Sequence, residues 1–281
     1  MKRNIVRRIK LGLIYLLIIG LGILFLFPFL WMISTALKPT NLTMSFPPKL
    51  FVYPPEFKNF VKCLNYQNFK FFLYARNTLY ICLLTVLGTV ISSSFVAYGF
   101  SRIKWRGRDT LFFMALATMM IPFPVIMIPL YAMFRAYNWV GSFKPLWVPA
   151  FFGGAFNIFL LRQFFMTIPN DLSEAAFVDG ANDFRIYWQI ILPLAKPALL
   201  VIALFQFMAS WNDFMGPLIY LPDQSTFTLA VGLQFFQSQH SGTDWNLLMA
   251  ASTLVILPII ILFFFTQKSF IEGISLTGIK G

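Results

Sequence analysis

Residues 173–197 read SEAAFVDGANDFRIYWQIILPLAKP. Glu174, Asp179 and Asp183 lie in this stretch and Asp171 lies just before it, so four of the ten acidic residues share one short segment. Asp171 is placed to N-cap a helix, with Glu174 three residues on in capping-box register. Ala175 and Ala176 favour helix, and Gly180 should end it. Asp183 can cap a second helix, in which Phe184, Trp188 and Ile191 fall at i, i+4 and i+7. Pro193 and Pro197 then close that helix and open the next apolar run. The expected product is two short helices around a glycine turn. A helix resting on anionic lipid carries Lys and Arg on its polar face, whereas here Arg185 is the one nearby cation. An acidic knob with many apolar neighbours suits docking into a basic socket on another protein.

Apolar runs flank the knob on both sides. The chain holds six: Leu11–Ile33, Leu73–Tyr98, Leu111–Phe134, Leu146–Phe165, Ala198–Leu221 and Leu247–Thr266. At 1.5 Å rise per residue, about 20 residues cross a hydrocarbon core of roughly 30 Å. Of 281 residues 58% are hydrophobic and 11% charged, less than half the usual charged share, so lipid must solvate much of the surface. The expected class is an all-α membrane protein with six transmembrane helices. Ser34-Thr35-Ala36 could pass as a signal-peptide cleavage site, but about 23 apolar residues exceed a signal core and fit a retained span.

The net charge of +12 sits in short runs beside apolar segments, which suits membrane topology and not nucleic acid. With the N-terminus inside, 14 of the 22 Lys and Arg fall on the inner side. The short loops decide: SRIKWRGRD (101–109) is strongly basic, while Pro222–Asn246 has neither Lys nor Arg. Both termini are therefore expected to be cytoplasmic. The expected divisions are a cytoplasmic tail 1–10, a first span 11–33, an extracellular loop 34–72, a five-helix core 73–266 containing a cytoplasmic loop 166–197, and a tail 267–281. Paired prolines in FPPKLFVYPPEFKNF (46–60) should begin the outer loop extended.

No catalytic set is legible. The sequence has no G-x-x-x-x-G-K-[ST], no G-x-S-x-G and no H-E-x-x-H. Cys63 and Cys82 are too dispersed for a disulfide framework, and His240 has no second histidine to share a metal. Asp213 is the one carboxylate inside a span, and carboxylates there need a partner or water. Gln206, Ser210 and Asp213 are spaced i, i+4, i+7 on one helical face, either a polar stripe along a solute path or an interhelical hydrogen-bonding seam. Gly216-Pro217 should kink or interrupt that helix just beyond the stripe. Pro122 and Pro129, seven apart on one face, should leave the third span bent or flexing, or simply shape the helix. Arg162 sits near the inner end of the fourth span, where the inner-side bias toward cations accounts for it.

The pattern Glu174-Ala175-Ala176, three residues, Gly180, nine residues, Ile190-x-Leu192-Pro193 resembles the signature of permease subunits of ATP-binding-cassette importers. RNTL (76–79), WND (211–213) and the ending EGISLTGIKG (272–281) are similar to the carbohydrate-uptake branch, the maltose-permease-G-like subunits. The resemblance covers nearly the whole chain. It implies a type I importer fold, a second homologous permease as partner, two ATP-binding cassette subunits and an extracellular solute-binding protein. It implies that Glu174, Ala175, Ala176, Phe177, Asp179, Gly180 and Phe184 form the ATPase-coupling knob, and that Thr277, Gly278 and Lys280 reach the ATPase as well. On this resemblance the chain is no enzyme and holds no cofactor, with ATP and Mg bound by the partner ATPase. The solute is a sugar or oligosaccharide. The same machinery could carry glycerol phosphate or another small solute, which would call for a cation in the path; an ATP-independent secondary transporter would need more carboxylates inside the spans.

Overall fold

A computed structural model gives the fold and describes residues 2–66, 69–237 and 242–278, with side chains described from 7 to 267 within those ranges. His240 and Lys280 lie outside the described residues, as does the side chain of Thr277. Every regular element among the described residues is helical. The chain divides into two compact units, Met1–Phe71 with Leu233–Leu257, and Phe72–Gly232 with Pro258–Gly281.

In the first unit, α1 (Lys2–Ala36) runs unbroken through Pro28 and through Ser34-Thr35-Ala36. No residue in its most apolar stretch is buried; Leu16, Leu24 and Phe25 are each more than 60% exposed. A flank this apolar and this open needs lipid or another protein against it. Residues 43–57 carry no helix, as the paired prolines require. Asn59 closes the end of α1: its Nδ2 donates to the carbonyls of Ala36 at 2.8 Å and Lys38 at 2.9 Å, taking up groups a helix end leaves unpaired. Lys38 is buried with its Nζ 4.4 Å from the Trp31 ring centre, and that burial pulls its pKa down.

Cys63 is a buried free thiol whose pKa burial raises to about 11. The thiolate is the reactive form, so only about one part in a thousand is reactive at pH 8. We expect less than a tenth of Cys63 to be alkylated by iodoacetamide in an hour at pH 8 in the folded protein, and full labelling in denaturant. Mass spectrometry of the tryptic peptides reads the outcome.

The second unit opens with α2 (Phe71–Ser101). Its Asn77 donates to the carbonyls of Ser225 and Phe227 at 2.9 and 3.0 Å. The expected third span is two helices, α3 (Arg108–Ala117) and α4 (Phe123–Ala136), and the bend expected there is a break of 99°. Pro122 causes the break. Ile121 before it is extended, at φ −83° and ψ 113°, because a residue preceding proline is driven out of the helical region. Pro129 sits inside α4 without interrupting it. The fourth run becomes a helical stretch Lys144–Thr167 whose second half is α5 (Ala155–Thr167).

After α5 come α6 (Asp171–Val178) and α7 (Asp183–Leu194), then α8 (Lys196–Trp211). α7 and α8 meet at 78°. The expected fifth span 198–221 is broken at residues 212–214, ahead of Gly216-Pro217, which lie within α9 (Met215–Tyr220). Pro217 is the third residue of α9, where its missing N–H costs nothing. The last helix, α10, spans Trp245–Gly278. Four helical stretches are long and apolar enough to cross a bilayer, and counting each bent pair as one gives six.

The core of the second unit joins Ala97, Phe112, Leu161, Phe165, Ala176, Ile186, Ile191 and Ile202. Residues of α6 and α7 are therefore packed against α2, α3, α5 and α8, and this packing holds the knob.

Candidate functional site

The knob is the pair α6–α7. α6 ends in a Schellman turn: the Gly180 N–H donates to Phe177 O at 3.0 Å and the Ala181 N–H to Ala176 O at 2.9 Å. Gly180 takes φ +80° with open space around it, so its identity is set by backbone conformation, which costs any other L-residue about 1–2 kcal/mol.

The caps differ from those read in the sequence. Asn170, not Asp171, precedes α6, and its side chain makes no capping bond. Its Oδ1 instead accepts from Arg102 Nη1 at 2.6 Å. Asn182, not Asp183, caps α7, its Oδ1 accepting from the Arg185 N–H at 2.9 Å. That frees Asp183 Oδ1 to accept from the Tyr98 hydroxyl at 3.2 Å. Phe184, Trp188 and Ile191 do not share a face. A π turn over Tyr187–Ile191 shifts the register, so Ile186, Tyr187 and Ile191 are buried while Phe184 and Trp188 are 65% and 62% exposed.

The outward surface of the knob combines two chemistries. Glu174, Ala175, Asp179 and Gly180 are exposed, as are the large apolar Phe177, Val178, Phe184 and Trp188. Among the described residues Glu174 makes no side-chain ion pair or hydrogen bond. Ala176 faces inward and is buried in the core cluster.

The sequence reading missed the residue that fixes the knob. Arg102 was counted there only as one charge among several. Its guanidinium donates to Asn170 Oδ1 and to the carbonyls of Phe165 at 2.5 Å and Ile168 at 2.6 Å. It thus ties the basic segment after α2 to the end of α5 and the start of α6. Desolvation lowers its pKa from the usual arginine value. A cleft of about 180 Å³ is lined by Arg102 together with Lys104, Arg108, Glu174 and Asp183. Arg162 is held nearby: Nε donates to Phe100 O at 3.1 Å, Nη2 lies 3.3 Å from Asp109, and the guanidinium stands 4.2 Å from the Phe112 ring centre.

The other candidate residues meet in a separate cavity. Gln206 and Ser210 lie on α8, with Gln206 Nε2 donating to Ser210 Oγ at 3.2 Å. Asp213 is not on their helical face, because it sits in the break before α9. There its Oδ1 accepts from the Gly216 N–H at 3.0 Å. All three line one cavity of about 460 Å³, together with Phe123, Phe134 and Tyr220. Gly216 makes room for the carboxylate: a Cβ there would stand 2.5 Å from Asp213 Oδ2 and 2.9 Å from Leu146 Cδ2. We expect Gly216→Ala to cost about 1–3 kcal/mol through overpacking, read as a lowered thermal midpoint in detergent.

Comparisons with known proteins agree in one direction. The family model of the binding-protein-dependent transport system inner membrane component matches residues 88–275. The arabinooligosaccharides transport system permease protein AraQ of Bacillus subtilis is 33% identical, over 98% of this chain and 97% of that protein. The trehalose/maltose transport system permease protein MalG of Thermococcus litoralis is 33% identical over the full length of both. A chain in the crystal structure of a bacterial transporter that imports the acidic polysaccharide alginate superposes with TM-score 0.80 at 25% identity, covering 92% of this chain and 95% of that one.

Proposed function

The chain belongs to the family of binding-protein-dependent transport system inner membrane components, and from that premise we propose that it forms half of the membrane pathway of an ATP-driven sugar or oligosaccharide importer. The observation that carries the reading is the knob: a short acidic and apolar surface, held from beneath by packing and by Arg102, with Glu174 unpaired among the described residues. Relatives named for arabinooligosaccharides and for trehalose and maltose support a carbohydrate as solute.

In this reading the chain crosses the cytoplasmic membrane of a bacterium or archaeon six times, each bent pair counting as one span, with both termini inside. The N-terminal tail 1–10, first span 11–33, outer loop 34–72, core 73–266 and tail 267–281 keep the roles expected of them. A second homologous permease completes the pathway. The open flank of α1 meets that partner and lipid. Two ATP-binding cassette subunits bind ATP and Mg, and a solute-binding protein delivers sugar from outside.

The knob couples the two machines. Glu174 enters a basic socket on the ATPase, Phe177 and Phe184 seat it in apolar surface, and Asp179 stands at its rim. Gly180 permits the turn, and Ala175 and Ala176 keep α6 slim. Thr277, Gly278 and Lys280 touch the same ATPase. When nucleotide draws the ATPase subunits together, α6 and α7 move as a rigid lever, because Arg102 joins the start of α6 to the ends of α2 and α5, while Asp183 and Tyr187 of α7 bond Tyr98 and Ser94 of α2. The bends between α3 and α4 and between α7 and α8 then let the spans rock between two states. Gln206, Ser210 and Asp213 line the solute path.

Proteoliposomes test the whole. The complex purified through this chain should bring a second permease and a P-loop ATPase, and should take up oligosaccharide only with ATP on the ATPase side. Uptake by the lone chain without ATP overturns the reading.

A further inference from the structure

The end of α1 and the start of α10 frame a second pocket, which the solute path does not include. Its volume of about 430 Å³ lies in the ordinary range for small-molecule sites. Trp31 comes from the end of α1, Trp245 and Met249 from the first turns of α10, and Met44, Phe46 and Pro48 from the segment after α1. Among the described residues no charged side chain lines it. Thr35, Thr43 and Ser45 do line it, but their hydroxyls are taken or hidden. Thr43 Oγ1 donates to Thr40 O at 2.8 Å, and the hydroxyl oxygens of Thr35 and Ser45 are buried away from open space. What remains is indole, thioether, phenyl and proline ring. A sugar in such a space would leave its own hydroxyls unpaired, which is costly, whereas a hydrocarbon chain gains by leaving water.

We propose that this pocket holds one acyl chain of an outer-leaflet phospholipid, with Lys49 at its phosphate. The inference rests on the reading of α1 and α10 as membrane spans with the N-terminus inside. The apolar run of α1 ends at Ile33 and that of α10 begins at Leu247, so the two tryptophans stand at the edge of the hydrocarbon, where tryptophan concentrates in membrane proteins. The pocket also continues the open flank of α1, on which Leu24, Leu26 and Leu30 are 64%, 58% and 55% exposed. A water-borne protein reaches this depth only past the headgroups, while acyl chains already lie beside it. The rim supplies the charge a phosphate needs. Pro48 lines the pocket and the Leu50 carbonyl accepts from Ser34 Oγ of α1, so the exposed Lys49 between them is held at the mouth. Trp31 is fixed in turn by the buried Lys38, whose Nζ stands 4.4 Å from its ring centre. A chain seated here wedges between α1 and α10 and holds the segment after α1 against both.

The complex purified through this chain is placed in nanodiscs of phosphatidylglycerol and phosphatidylcholine, with a rising fraction of phosphatidylglycerol that carries a diazirine on its acyl chain. After irradiation, mass spectrometry of peptides reads the label in the pocket, at residues 245–249, and on the flank of α1, at residues 11–26. Pocket label should saturate at a low probe fraction, while flank label should rise in proportion to the probe. Lys49→Gln, a surface change, should raise the half-saturating fraction about fivefold, the share of one lysine beside anionic headgroups. Met249→Trp, which fills the space, should remove the saturable label in complexes that elute intact from a sizing column. Pocket label that only rises in proportion, as on the flank, overturns the site. So does a labelled flank beside a bare pocket, which means that a protein surface covers it, and so does saturable label unmoved by both variants. Absence of label from pocket and flank alike overturns the membrane placement on which the inference rests.

Discussion

Glu174→Lys should strip the ATPase from the complex while the second permease stays bound. The residue is exposed on α6 and unpaired among the described residues, so its removal costs the isolated chain little. In a docked basic socket the same change replaces an attraction by a repulsion. Losing one member of a buried interfacial charge pair costs about 2–5 kcal/mol, which is roughly 30- to 5,000-fold in affinity. Affinity purification from mild detergent, with mass spectrometry of what comes along, reads the result. Glu174→Gln separates charge from shape and should retain part of the ATPase. If the lysine variant keeps its full complement of ATPase and transports normally, the docking assignment is wrong.

Arg102→Ala should loosen the lever without touching the docking surface. The guanidinium holds three acceptors on two elements, and hydrogen bonds from a charged group are worth about 1.5–3 kcal/mol each. Their loss is not additive, because the end of α5 can relax, so we expect about 2–4 kcal/mol of destabilisation overall. The functional effect should be distinct from the stability effect. ATP hydrolysis should still be stimulated by the solute-binding protein, but sugar moved per ATP should fall at least tenfold. Arg102→Lys should not rescue it, since a single ammonium cannot span acceptors that a planar fork reaches together. A variant that loses stability yet keeps the ratio of sugar to ATP would assign Arg102 a packing role and no part in coupling.

The charged residues show where reading by pattern stops. Arg102, Lys104, Arg106 and Arg108 are alternating cations in one short stretch, and nothing local separates the one that clamps α5 and α6 from its neighbours. Asn182 and Asp183 are adjacent cap formers, and the sequence favoured the carboxylate. Tertiary context reversed the choice, because Tyr98 offers Asp183 a hydrogen bond that only the fold supplies.

What the sequence determined by itself was everything that depends on near neighbours. The apolar runs, the acidic segment between two of them, the glycine at the turn and the proline at the α3–α4 break act through backbone sterics and solvation within a few residues. Gly180 duly ends α6 at φ +80°, and the turn needs no distant partner to form. Direction and register were decided elsewhere. The 99° break at Pro122, the π turn that buries Ile191 and exposes Trp188, and the displacement of Asp213 from the face of Gln206 and Ser210 each depend on what packs against them. A proline states that a helix must yield. The angle at which it yields is chosen by the side chains that fill the space on either side.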